Sequence, residues 1–298
     1  MAGIDELLEL VLRHSAGGVR HDVLEGLSIG VSAHPTDPAA VMSRPSLALV
    51  AQGAKRTVLN GTAYDYRAGQ FLVVSLDLPV TGLVLEASPA EPFAVVTLAL
   101  EPALIATLLL ETPASPGPPA PVVAGMAVSD AAPELIDAMV RMLGLLDRPA
   151  DAPVLTEAYR REIVWRLLTS DQGGLVRQIG VADGSLARVT RSVRWIREHY
   201  ADPLRVEQLA EMARMSSSAF HRHFRSATSM TPIQFQKQIR LQEARTLLLA
   251  AADDIAGVGF RVGYDSPSQF SREYRRAFGE PPARDAVRLR ATARPPVV

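Results

Sequence analysis

Along the first hundred residues the apolar positions change period, and the change separates two kinds of element. Ile4, Leu7, Leu8, Val11 and Leu12 recur at three- and four-residue steps, which predicts a short amphipathic helix over 4–14. From about residue 27 to 100 the apolar residues come instead in short runs, LALVAQ, RTVLN, FLVVSL, GLVLEA and FAVVTLAL, parted by Asn60-Gly61, Ala68-Gly69 and several prolines. Such runs predict strands, and Asn60-Gly61 is the strongest hairpin signal because both residues tolerate positive φ. Many short strands at close spacing make a sandwich or barrel. TPASPGPPAP at 112–121 then breaks the pattern, because proline removes backbone donors and glycine resists ordering; it reads as a linker or loop.

Helical spacing returns over 133–146, with Leu135, Ile136, Met139, Met142 and Leu143, and over 153–169, with Val154, Leu155, Ile163, Val164, Leu167 and Leu168. Such a pair either covers the β domain or packs against its copy in another subunit, and the dimer reading is preferred. DQGG at 171–174 and the stretch 182–185 read as flexible junctions.

Beyond them, caps predict six helices. The first spans 188–200 and the second 206–213; Ser216 caps the third. Thr231-Pro232 supplies the N-cap and first-turn proline of a long helix through Leu249, held on a core by Leu241, Ala244, Leu247 and Leu248. The fifth covers 254–262, and Ser266 caps a sixth running to about Phe278. One unit occurs twice: SAFHRHFRSA at 218–227 and SQFSREYRRA at 268–277 share Ser, Phe, Arg, Arg and Ala in place. Each copy carries an aromatic pair at i, i+4 (Phe220 and Phe224; Phe270 and Tyr274), which belongs to the core, while Arg222 and Arg272 point elsewhere. Helices two and three, and five and six, thus form two helix-turn-helix units joined by a rod. The rod would let both reading helices enter successive major grooves, about 34 Å apart.

Charge sharpens this picture. The net charge of −1 hides a surplus of eight cations in 185–298, where 19 Lys and Arg stand against 11 Asp and Glu. The remainder carries 12 against 21. A basic half that coincides with the repeated helical unit suits a polyanionic partner, because neutralised phosphates release counterions. A length of 298 residues with 48% hydrophobic content supports about two domains. No apolar run approaches the roughly 18 residues of a membrane span, and MAGIDELLELVLRHS is unlike a secretion signal, so the cytoplasm is the expected compartment. With no cysteine there is no disulfide framework, thiolate metal site or thiol switch.

Residues 188–290 resemble the DNA-binding domain of the AraC/XylS family of bacterial transcription regulators. VEQLAEMARMSSSAFHRHFR forms the first unit, QKQIRLQEARTLLL the connecting helix and DIAGVGFRVGYDSPSQFSREYRRAFGEPP the second, which is the most specific stretch. Two residues depart from the family pattern. Gly259 stands where Ala is usual, at roughly 1 kcal/mol of helix propensity, and can allow close helix contact. Ser229 stands where Gly is usual and leaves a non-glycine at a helix C-terminus. Residues 20–110 resemble the cupin-like N-terminal region of one subgroup. The fold class implied is α+β: an N-terminal cupin-like β-barrel plus helices, then an all-α domain with two helix-turn-helix units. The domains expected are 1–115 for effector binding, 122–182 as a helical linker and dimerisation region, and 185–298 for DNA binding.

Carried over residue by residue, the resemblance makes Ser218, His221 and Arg222, and Ser268, Gln269 and Arg272, the candidates for base contact. Arg can fork onto guanine and Gln onto adenine, although each Arg could instead meet phosphate or a neighbouring acid. Ser216, Arg225, Thr231, Lys237, Ser266 and Arg275 are the phosphate candidates. Metal-bearing cupins present His-x-His, yet GTAYDYRAGQFLVV has no histidine, and His221 and His223 at i, i+2 cannot chelate one ion. No metal or cofactor is expected. The barrel interior is a natural small-molecule pocket near Gln52, Lys55, Tyr64 and Tyr66, residues that read more readily as structural. Its ligand contacts are not assigned. Catalysis finds no G-x-S-x-G elbow, P-loop or H-E-x-x-H; Gly257, Gly259 and Gly263 miss dinucleotide spacing, and His21-Asp22 reads as a surface pair before a general base. The reading is a sequence-specific, ligand-responsive transcription regulator with no catalytic residues, binding double-stranded DNA as a homodimer. RNA polymerase and a small-molecule effector are candidate partners, and no membrane is involved. The alternatives are a cupin-type enzyme and a sensor that contacts proteins and never DNA.

Overall fold

The computed structural model describes residues 2–111, 125–181, 184–250 and 254–293. The proline-rich stretch 112–121 and residues 182–183 of the second expected junction lie outside them. The chain forms two compact units, 1–190 with 222–229, and 191–221 with 230–298.

The first unit opens with α1 (Ala2–Ser15), the helix expected over 4–14. Nine strands follow: β1 (Val19–Leu24), β2 (Leu27–Ser32), β3 (Ala39–Ser43), β4 (Ser46–Gln52), β5 (Ala54–Leu59), β6 (Thr62–Arg67), β7 (Gln70–Val74), β8 (Leu78–Glu86) and β9 (Phe93–Ala99). Then come α2 (Pro102–Glu111), β10 (Met126–Asp130), α3 (Pro133–Leu143), a 3₁₀ turn (Gly144–Asp147), α4 (Ala152–Leu168) and α5 (Gly173–Gly180). Asn60 and Gly61, with φ of 47° and 83°, form the two-residue turn between β5 and β6. The strands make a six-stranded sheet, β1-β2-β9-β4-β7-β10, and a four-stranded sheet, β3-β8-β5-β6. The barrel is therefore built from two antiparallel sheets, with β6 approaching β4, β7 and β10, and not from one closed ladder among the described residues. Leu47, Leu49, Ile29, Val96 and Phe71 from the larger sheet and Thr57, Leu59, Tyr66, Val80 and Val84 from the smaller are all buried.

Three features differ from the sequence expectation. Met126–Asp130, inside the segment read as helical linker, is a strand: it pairs antiparallel with β7 from Met126↔Val74 to Asp130↔Gln70. MAVSD is too short to carry a period, and only the free edge of β7 makes it a strand. DQGG is not a flexible junction. Gly173 opens α5, its N–H donates to the Ser170 carbonyl at 2.9 Å, and a Cβ there would lie 2.3 Å from the Leu168 carbonyl, so the glycine permits a tight turn between α4 and α5. The apolar stripes of α3 and α4 are mostly covered within the protomer: Leu135, Ile136, Met139, Met142, Leu143, Ile163, Val164, Leu167 and Leu168 are buried, and Val154 is the large exposed one. Arg160 on α4, also buried, donates to the Glu101 carboxylate at 2.7 Å and to the Glu25 carbonyl.

The rest of the chain is helical: α6 (Ser185–Glu198), α7 (Val206–Met212), α8 (Ser217–Thr228), α9 (Pro232–Ala250), α10 (Ile255–Arg261), α11 (Pro267–Phe278) and α12 (Pro282–Ala293). The six expected helices are present within a few residues, and α12 is an addition. Leu241, Ala244 and Leu248 of α9, Val258 and Val262 of α10, Phe270 and Tyr274 of α11 and Ala286 of α12 form one core cluster. Under it sits Asp285, fully buried, accepting hydrogen bonds from Tyr274 at 2.7 Å, from Arg245 at 2.9 Å and from Arg288. Burial alone would raise the Asp285 pKa, but the bonds from Tyr274 and Arg245 outweigh it and hold the carboxyl below its ordinary value.

Candidate nucleic-acid interface

The reading helices are set by their caps. Ser216 Oγ accepts the Ala219 N–H at 3.3 Å at the start of α8, and Ser266 Oγ accepts the Gln269 N–H at 3.5 Å at the start of α11, with Pro267 in the first turn. Ser216 Oγ also lies 3.4 Å from Ser218 Oγ, so the two hydroxyls share a contact at the start of α8. Thr231 and Gln234 close a reciprocal capping box on α9, at 2.9 and 3.3 Å.

Between the caps the i, i+4 aromatics bury completely: Phe220, Phe224, Phe270 and Tyr274 are each 0% exposed. Their burial turns the opposite face outward. Ser218, His221, Arg222, Arg225, Ser268, Arg272 and Arg275 are exposed, and Gln269 is half-buried. Neither Arg222 nor Arg272 is in an ion pair among the described residues, so both guanidiniums keep their donor forks. His223 is held below its ordinary pKa by burial and by the neighbouring Arg222, which keeps it neutral near pH 7.

Two sequence candidates are drawn into an internal network. Glu273 accepts from Lys237 at 2.8 Å, from Tyr264 at 3.0 Å and from Gln269 at 3.3 Å. Burial would raise the Glu273 pKa, but these three donors hold it below the carboxylate range. Lys237 is thus engaged by Glu273, and Gln269 is positioned by the same carboxylate.

The residue that sequence reasoning missed is Arg240. From α9 its guanidinium donates to the carbonyls of Tyr200, Ala201 and Asp202, ahead of α7, and to Gly263 in the turn between α10 and α11, all within 2.6–3.1 Å. Gln236, one turn earlier, adds bonds to the Tyr200 and Asp202 carbonyls at 3.0 and 2.7 Å. One side chain so ties the approach to the first module to the turn of the second. A signal existed: residues 236, 240, 244 and 248 form a single i, i+4 stripe whose last two members are apolar and whose first two are polar.

Gly259 explains its departure from Ala. A Cβ there would lie 3.0 Å from the Phe270 ring, so the glycine admits the α11 aromatic against α10. Ser229 takes the left-handed conformation at φ 59°, its N–H donating to the Arg225 carbonyl at 2.8 Å, as Gly279 does at φ 81° toward Arg275.

A β-rich unit followed by paired helix-turn-helix motifs with outward arginines defines a class of two-domain DNA-binding regulator, and comparison with known proteins agrees. Residues 23–175 match the model of the AraC-type transcriptional regulator N-terminus, and residues 209–286 match a helix-turn-helix domain model. The chain belongs to the AraC-type transcriptional regulators. It is similar to the HTH-type transcriptional activator RhaS of Salmonella schwarzengrund, 27% identical over 155 residues, covering 49% of this chain and 54% of that protein. It thus spans about half the length of the curated relatives it matches. In fold it is similar to crystal structures of ToxT from Vibrio cholerae. An apo variant has a TM-score of 0.54 at 10% identity, covering 88% of this chain and 97% of that one. A form bound to unsaturated fatty acid has a TM-score of 0.53 at 12% identity, covering 87% and 94%. No helix among the described residues is long and apolar enough to cross a membrane.

Proposed function

We propose that this protein is a sequence-specific DNA-binding regulator of transcription whose β domain takes a small organic ligand. The observation that carries the reading is the repeated outward face: Ser218, His221 and Arg222 on α8 and Ser268, Gln269 and Arg272 on α11, each backed by a fully buried aromatic pair. These residues would read base edges, with Arg222 and Arg272 forking onto guanine. Ser216, Arg225, Thr231, Lys237, Ser266 and Arg275 would hold phosphate and fix register. The domains would then be an effector-binding β unit, the α3 to α5 helices, and a DNA-binding helical domain from about residue 185. RhaS is named an activator and ToxT has been crystallised with a fatty acid, which supports ligand control of transcription here as well. A homodimer would use what α4 leaves outside the protomer, Val154 above all, and would repeat the operator pattern. Selection of bound duplexes from a random pool by the full-length protein tests the reading. Two conserved words about one helical turn apart are expected; a pool with no enriched sequence would overturn it.

A further inference from the structure

Glu273 follows Gln269 by one turn of α11, and its side chain, 19% exposed, lies where three segments meet. Its Oε1 accepts from Lys237 of α9 and from Gln269 Nε2, and its Oε2 accepts from Tyr264, which precedes α11. Burial would raise the carboxyl pKa, but its donors hold it low, so it is ionised near pH 7 and has no hydrogen to give. Gln269 can therefore face it only with the NH2 end of the amide, since the reverse would set Oε1 against a negative oxygen. That contact fixes what remains for the outside: one amide N–H beside Oε1, neither with a partner among the described residues. In the major groove adenine presents the complement, N7 as acceptor beside N6–H as donor, whereas guanine presents two acceptors, N7 and O6. A glutamine free to turn over could meet guanine with its NH2 end. A held one brings Oε1 against guanine O6. The first module has no such device, because fifty residues earlier the pair is Ala219 and His223.

We propose that Glu273 is a positioning residue for base recognition, holding the Gln269 amide so that α11 selects adenine and rejects guanine at one base pair. The inference rests on the reading of α11 as a base-contacting helix, and deepens it. Lys237 and Tyr264 keep the carboxylate ionised and in place. Both of its oxygens are occupied, one by Lys237 and Gln269 and the other by Tyr264, so its effect on sequence passes through Gln269.

A duplex selected from a random pool by the full-length protein is the probe. The base pair at which Gln269→Ala loses its preference is the one Gln269 reads. Affinities for the selected duplex and for its guanine version at that position give a ratio that does not depend on how much of a preparation is folded. Wild type should favour adenine about ten-fold or more. Glu273→Met, close in size and without the acceptor, should lower that ratio at least about three-fold, and Glu273→Ala, which lets water reach Lys237 and Tyr264, should do the same. Glu273→Gln should keep the ratio, because Lys237 still draws the oxygen of the new amide to the place of Oε1. In a Gln269→Ala background, Glu273→Met should change no base preference. A preferred base other than adenine at that position, a ratio unmoved by Glu273→Met and Glu273→Ala, or an equal loss in Glu273→Gln overturns the proposal. So does a change that persists without Gln269, the result expected if Glu273 accepted from cytosine directly. The two readings fail separately: a pool with no enriched sequence removes base reading altogether, whereas enriched words indifferent to Glu273 remove only its positioning role.

Discussion

Where the second helix-turn-helix module buries Tyr274 against Asp285, the first carries Phe224 and Phe235 at the positions fifty residues earlier, all four of them fully buried. Where the second bends through Gly263 and Gly279, the first bends through Arg214 and Ser229, at φ of 51° and 59°. The turns themselves match: Met215 N–H donates to the Ala210 carbonyl, and Tyr264 N–H to that of Gly259, both at 3.0 Å. One backbone geometry is therefore reached with buried phenylalanines and strained non-glycine turns in one module, and with a polar network and glycines in the other. Glycine is compulsory where a neighbour fills the space outside the turn. A Cβ on Gly263 would lie 2.3 Å from the Ala201 carbonyl and 2.8 Å from the Arg240 guanidinium. Arg240 occupies the second turn, and the glycine is what lets it tie the modules together.

The contrast can be broken most severely at its polar end. Asp285→Ala should cost on the order of 3–5 kcal/mol in urea unfolding, because Arg245 and Tyr274 lose a buried partner; a cost below about 1 kcal/mol would show that the network is incidental. Next comes Gly263→Ala at about 3 kcal/mol, combining left-handed strain with overpacking. Arg214→Ala in the first module exchanges one non-glycine for another and should change stability by less than about 1 kcal/mol.

Acid separates the modules too. Asp285 and Glu273 both have folded pKa values below their ordinary ones, so their stabilisation is present above the unfolded carboxylate range, about pH 4, and is lost as pH falls through the folded values. Hydrogen exchange, corrected for its intrinsic pH dependence, should therefore rise in α11 and α12 before α7 on acidification below about pH 4. Simultaneous loss would contradict it.

Binding should divide by role. Arg272→Ala should cost about 1–3 kcal/mol and relax base choice at one position, while Lys237→Ala weakens all sequences alike and lowers the salt slope by about 1. Identical behaviour of the two variants in a salt titration would refute the assignment. The smallest effect is at the strained cap. Ser229→Gly should stabilise by up to about 1 kcal/mol, measurable as a rise in melting temperature.

Much of this was legible because the information is local. Cap residues and a 3.6-residue stripe place α6 to α11 within a few residues, and Asn60-Gly61 places a hairpin, since each depends on a handful of neighbouring φ/ψ preferences. The outward face of Arg222 and Arg272 follows from where the aromatics must go. MAVSD and DQGG failed for the opposite reason: a strand edge supplied from fifty residues away, and a carbonyl approach that makes a glycine a tight turn, leave no local trace.

The sequence by itself determined that there are two modules, which faces of their helices are buried and which arginines remain outside, because helical period and caps are properties of adjacent residues. Only the tertiary structure decided that Arg240 yokes the modules and that Asp285 underpins the second. Each depends on distances between residues remote in the chain, which burial and hydrogen-bond satisfaction select and no periodicity encodes.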